Sequence, residues 1–159
     1  MKVKLLDKEK CEIASEILEG QKVKLPSIYD GWRFNFKKHS KSANTFTYAL
    51  VTIERPDIIE GCLIYKMLNK NEPYMAFIEV APHNKWSDKQ YDLVAGCLIA
   101  YACRLSFIHG QGPYNGWLAF DVQEDNKEAE EKLMKLYSSK YKAKRFEKTT
   151  TMLISPADG

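Results

Sequence analysis

Between Tyr91 and Phe107 the chain is apolar almost all round, broken mainly by Asp92, Gly96 and Arg104. A segment of that kind predicts a central, buried helix, stopped here by Gly110 and Gly112-Pro113. Before it, three runs rich in β-branched and aromatic residues predict strands at Phe46–Ile53, Ile58–Leu68 and Tyr74–Ala81. Pro56-Asp57, Asn69–Pro73 and Pro82 punctuate them, so the 41–81 region reads as an antiparallel meander. Trp32–Lys37 alternates strictly, with aromatics on one face, and predicts a further strand. Near the start, Asp7 stands as a cap for a helix whose face is Cys11, Ile13, Ala14, Ile17 and Leu18, with Gly20 at its C-terminal end. After the central helix, Trp117–Val122 predicts a strand covered on both faces. Lys127–Tyr141 is amphipathic, with Glu128, Glu130 and Glu131 first and Lys135, Lys140 and Lys142 last, as the helix dipole prefers. Thr149–Ile154 closes the chain as a strand. This order predicts an α/β (α+β) fold, a mixed sheet with helices packed on it.

Composition narrows the class without naming a function. The 159 residues suit a single domain over 1–159. Lys plus Arg number 24 against 21 Asp plus Glu, a net charge of +3 that points to no polyanionic partner. No apolar run reaches the roughly 18 residues of a membrane span, and the first residues lack the apolar core of a secretory signal. Cys11, Cys62, Cys97 and Cys103 form no CxxC pair and have no His at metal-ligand spacing. They are expected as buried, reduced thiols in a cytoplasmic protein, with no metal. Seven bases between Lys132 and Lys148, interleaved with Tyr137, Tyr141 and Phe146, are the one pattern that suits nucleic acid. The acids just before them, among them Glu124 and Asp125, would repel phosphate, so nucleic acid is not the expected partner.

Some residues carry chemistry in a more particular arrangement. A predicted strand ends in Glu79-Val80-Ala81-Pro82-His83-Asn84. Tyr91-Asp92-Leu93-Val94-Ala95-Gly96 then opens the apolar helix, with Ala102-Cys103-Arg104-Leu105-Ser106-Phe107 further along it. Leu133-x-x-Leu136-Tyr137, Ala143 and Met152 follow in the last helix, the turn after it and the final strand. From Phe46 to Ile154 this combination resembles the general N-acetyltransferase (GNAT) superfamily. It is most similar to a bacterial group in which a Glu-x-Ala-Pro-x-Asn strand end precedes Tyr-x-Gly-Val-x-Gly and an apolar helix. The resemblance implies a mostly antiparallel central sheet flanked by helices, with acetyl-CoA as co-substrate, an amine as acceptor and a homodimer as one option.

The resemblance also assigns roles. Backbone N–H groups at a helix entrance make an anion site for the CoA pyrophosphate. The superfamily pattern Gln/Arg-x-x-Gly-x-Gly/Ala falls on Gln90-x-x-Leu93-x-Ala95, so Asn84, Lys89, Gln90, Tyr91, Leu93, Val94, Ala95 and Gly96 become the cofactor-binding segment. Leu93 replaces a Gly, and Asp92 adds a negative charge that Lys85 and Lys89 could offset. The N–H of Val80 is implied as thioester polariser or pantetheine contact, Tyr137 as the acid for the leaving thiolate, and Glu79 as general base. Tyr141 is an alternative acid, Glu60 and His83 are alternative bases, and Trp86 is a candidate pocket wall.

Other readings stay open beside these. Ser87-Asp88-Lys89-Gln90 is itself a capping box, which would start the helix near Asp88 with no phosphate loop. Glu79 could be a structural carboxylate paired with Lys or Arg, and Tyr137 a packed helical tyrosine. The Leu93 and Asp92 departures could also mark a domain that has lost catalysis and acts as a binding or regulatory module.

Overall fold

A computed structural model of the chain describes residues 1–122, 124 and 126–157; Asp125, one of the acids noted above, lies outside them. The strands are β1 (Lys2–Leu6), β2 (Glu12–Glu19), β3 (Thr45–Thr52), β4 (Ile59–Leu68), β5 (Glu72–Val80), β6 (Leu118–Asp121), β7 (Lys144–Arg145) and β8 (Thr151–Ile154). The helices are α1 (Phe36–His39), α2 (Val94–His109) and α3 (Lys127–Tyr141). The strands form a mixed, mostly antiparallel sheet in the order β1-β2-β3-β4-β5-β6-β8-β7. β5 pairs with β6 in parallel, at Tyr74↔Ala119, and the connection between those strands contains α2. The predicted meander, central helix, covered strand, amphipathic helix and final strand are all present within a few residues of their expected ends.

The chain divides into two compact units, Met1–Tyr65 with Phe77–Tyr101, and Lys66–Ala76 with Ala102–Gly159. In the first, Leu5, Ile17, Leu50, Val51, Leu63 and Leu98 are fully or almost fully buried. Gly61 on β4 lets α2 come close, since a Cβ there would lie 2.6 Å from Val94 Cγ1 and 2.9 Å from Leu98 Cδ1. In the second, Leu118, Phe120, Met134, Met152 and Ile154 are buried. There Asp121 accepts hydrogen bonds from the hydroxyls of Tyr74, Thr150 and Thr151.

Two expectations are corrected. The segment 11–20 is not a helix but the second arm of a β1–β2 hairpin, in register Lys4↔Ala14. Its buried side is set by Ser15 and Ile17, a two-residue period hidden by the polarity of Ser15, whose Oγ donates to Ile13 O at 3.0 Å. Asp7 does cap, but it caps the hairpin turn: Oδ1 accepts the Glu9 and Cys11 N–H groups at 2.9 Å each.

The second is Trp32–Lys37, which is not a strand. Ser27 and Asp30 form a capping box on a 3₁₀ turn that ends at Gly31, and Asn35 then caps α1. The Arg33 and Phe34 N–H groups go to the carboxylate of Glu79 rather than to a ladder. The aromatic alternation still works in packing: Trp32 meets Phe36 edge-on at 5.7 Å between centroids, and Phe34 meets Phe77 at 5.2 Å. Cys11 is exposed, against expectation, while Cys62 and Cys103 are buried as expected.

Candidate active site

Nearly all the residues singled out in the sequence lie in the first unit, along the end of β5 and the segment leading into α2. Val80 is the last residue of β5. Pro82–Asn84 form a single 3₁₀ turn, and 85–93 then run as loop to the helix. The capping box at Ser87 therefore does not form, and α2 starts six residues after Asp88, at Val94.

Asn84 organises this loop. It is buried, donates from Nδ2 to Glu60 O at 3.1 Å and to Glu60 Oε1 at 2.9 Å, and accepts the Tyr91 N–H at 2.9 Å. A buried amide must find partners for both its ends, and these tie β4 to the entrance of the helix. The Gln90 N–H reaches His83 O at 3.0 Å. Leu6 and Asp92 exchange backbone hydrogen bonds, which moor the loop to the end of β1.

At the helix entrance Leu93 adopts φ +74°. That is the left-handed region, where a side chain costs about 1–2 kcal/mol and glycine costs nothing. The resemblance stated above implies a Gly at this position; the chain has Leu93. The Leu93 N–H donates to Asp92 Oδ1 at 2.8 Å, and the Lys89 ammonium sits 3.1 Å from the same oxygen. A carboxylate of the chain thus engages an amide at the entrance of α2. Val94 is buried, while Ala95 and Gly96 are partly exposed in the first turn.

Glu79 is buried, and both its oxygens are engaged. Oε2 accepts the Arg33 N–H at 2.8 Å and the Lys85 ammonium at 2.6 Å, and Oε1 accepts the Phe34 N–H at 2.9 Å. The two amides hold the 33–34 backbone against β5. Lys85 thereby serves Glu79, and Lys89 offsets Asp92. Glu60, also buried, accepts from His83 Nε2 at 2.5 Å. Sequence reading considered Glu60 and His83 separately; the Asn84 bonds that bring them together have no local signal.

Tyr137 belongs to the second unit. It lies on α3, its ring edge-on to Phe120 at 5.0 Å and tilted on Tyr141 at 6.0 Å. Burial, with smaller contributions from Tyr141 and Glu124, raises its phenol above the ordinary 10.0. Such a phenol stays protonated at neutral pH. Asn126 caps α3 by accepting the Ala129 N–H at 2.8 Å, and Lys142 closes it in the left-handed conformation.

Among the described residues, no group of three or more His, Cys, Asp or Glu side chains is placed to hold a metal ion. Among the same residues, no helix is long and apolar enough to cross a membrane. No protein-family model matches the chain. No curated protein matches it. Among solved structures it is similar to the crystal structure of nourseothricin acetyltransferase, at 14% identity and a TM-score of 0.43, over 70% of this chain and 64% of that one. The chain therefore spans just under two thirds of the length of that protein.

Proposed function

We propose that residues 1–159 act as one GNAT-like domain that transfers an acetyl group from acetyl-CoA to an amine by direct attack on the thioester. The observation that carries this reading is Leu93 at φ +74°. A leucine has no intrinsic reason to stand there, and the glycine that the resemblance implies at this position adopts such a conformation freely. The parallel β5–β6 pair in a largely antiparallel sheet, with α2 in the connection, supports it.

In this reading Asn84 and the stretch from Lys89 to Gly96 form the CoA side, with Lys85, Trp86 and Asp88 outside it. Val94, Ala95 and Gly96 present the first helical turn to the pyrophosphate, Gln90 and Tyr91 shape the loop before it through their bonds to His83 and Asn84, and Lys89 supplies a cation. The Val80 N–H polarises the thioester carbonyl. The resemblance implies Tyr137, which belongs to the other unit, as the acid for the leaving thiolate. Glu79, the carboxylate the resemblance assigns as base, has both oxygens occupied and holds the 33–34 backbone instead. Calorimetric titration of acetyl-CoA tests the reading. Heat of binding that weakens with 3′-dephospho-CoA or with a pantetheine fragment is expected; no heat at millimolar acetyl-CoA overturns it.

A second reading is favoured by the Asp92–Leu93 hydrogen bond. A helix entrance already holding its own carboxylate suits a module that has kept the fold and lost acetyl-CoA. The same titration separates the two, because this reading expects no binding by the wild-type protein.

A further inference from the structure

The loop after β5 carries a second chemical centre. Glu60 is 2% exposed. Its Oε1 accepts from Asn84 Nδ2 at 2.9 Å and lies 2.5 Å from His83 Nε2. A carboxylate oxygen that already accepts from an amide is an acceptor for the imidazole as well. In the neutral imidazole this places the ring hydrogen on Nε2 and leaves Nδ1 with a lone pair. Asn84 fixes the carboxylate and Pro82 the turn, so the ring is held from behind.

Its other side is open. The His83 side chain is 38% exposed and lines a cavity of about 560 Å³ with Lys8, Lys85, Trp86, Asp88 and Gln90. Trp86 is 83% exposed and has φ +69°. A tryptophan held in the left-handed region at the surface costs about 1–2 kcal/mol and recovers little by burial. Its indole gives the cavity a flat wall for an apolar body or a cation. Asp88 adds a carboxylate, whereas the Lys85 ammonium is taken by Glu79.

We propose that His83 is the proton acceptor for a primary amine with an apolar or aromatic body bound in this cavity, with Glu60 as its positioning residue. This rests on the transferase reading above. An ammonium proton of the acceptor passes to Nδ1. The freed nitrogen lone pair attacks the thioester carbonyl carbon, forming the C–N bond. The C–S bond breaks and sulfur leaves with its electron pair. A second proton from the nitrogen completes the amide and, delivered to sulfur, the CoA thiol; His83 returns the first proton to water.

Two measurements on the full chain test this. Nitrogen-15 NMR of the imidazoles comes first, with His39 and His109 variants assigning the remaining signal of the three histidines. The expected result at neutral pH is a protonated Nε2 and a bare Nδ1 whose signal moves on adding phenethylamine. A hydrogen on Nδ1, or a signal that phenethylamine leaves in place, overturns the proposal.

The second is thiol release from acetyl-CoA with phenethylamine and butylamine. His83→Gln should lower kcat/KM for the amine about 100-fold at pH 7 and leave the KM for acetyl-CoA unchanged. The deficit should shrink as pH rises and more amine is already neutral. Glu60, Lys8, Lys85 with Glu79, and Asp88 are the charged groups around the ring, and Glu60→Gln should reproduce part of the same profile. An active wild type with an equally active His83→Gln overturns the role of His83 alone. A wild type that releases no thiol overturns the transferase reading and this role with it; the NMR result tells which failed first. If His83→Gln does not fold, His83→Asn takes its place, and the wild-type NMR readout needs neither.

Discussion

Asp92 Oδ1 accepts the Leu93 N–H at 2.8 Å, so helix α2 carries a carboxylate of its own chain at its entrance. In the transferase reading that charge faces the pyrophosphate. Asp92→Asn keeps an acceptor for the amide and removes the charge. At a few ångströms in a water-exposed setting, the repulsion it relieves is about 1 kcal/mol. Acetyl-CoA should bind about fivefold tighter to the variant, which calorimetry reads directly. An unchanged dissociation constant would separate Asp92 from the phosphates.

Glu79 makes a different kind of demand. Its carboxylate holds the Arg33 and Phe34 amides and the Lys85 ammonium. Glu79→Gln keeps an oxygen but substitutes a donor where one of these donors must be met, and it leaves Lys85 without its counter-charge. The expected loss is about 3 kcal/mol in urea unfolding, with faster hydrogen exchange at the amides of Arg33 and Phe34. A variant as stable as wild type, with those amides still protected, would contradict the anchoring role.

At Gly61 the constraint is steric. The missing side chain is what allows Val94 and Leu98 of α2 to lie on β4. Gly61→Ala should destabilise by about 2 kcal/mol, within the range seen for overpacked cores. Pairing it with Val94→Ala should recover part of the loss, because the substituted Cβ then meets a smaller neighbour. Equal stability of Gly61→Ala and wild type would mean that α2 can shift without cost.

Four tyrosines set an alkaline limit. Burial pushes Tyr48 up to about 12 and raises Tyr65, Tyr74 and Tyr137 as well. A phenol whose folded pKa lies above its unfolded value stabilises the fold fully below about pH 10; that contribution is lost as pH rises from there through the folded pKa. Stability should therefore fall from about pH 10 upward. In a titration followed by tyrosinate absorbance, part of the signal from the nine tyrosines should appear only with unfolding. Smooth ionisation of all nine in the native protein would refute this.

The legible parts of the fold were those where a local pattern and the final environment agree. Helix α3 matched its predicted limits because its charges follow the dipole and Asn126 caps it. The meander was readable from β-branched runs and breaker residues. Where the reading failed, a distant group had decided the outcome. Trp32–Lys37 has a strand pattern, but Glu79, 46 positions after Arg33, takes the amides a ladder would need. In β2, apolar residues at helical spacing concealed an alternation whose inward member is a serine. The site followed the same rule. At position 93 the sequence has Leu where the resemblance implies Gly, and nothing local announced its φ of +74°. The pairing of Glu60 with His83 depends on Asn84, and nothing within a few residues of Glu60 announces it.

The segment from Lys85 to Lys89 hangs between two stitches. His83 O is bonded to the Gln90 N–H, and Asn84 Oδ1 to the Tyr91 N–H. Its ends are held together whatever lies between, and closing a slightly longer loop costs little, about 0.6 kcal/mol for each doubling of length. Trp86 and Asp88 can therefore be exchanged, or the segment lengthened, while the helix start and the imidazole stay where they are. The arrangement separates what is varied from what must remain still, which makes this short stretch the natural place to engineer or diversify ligand preference.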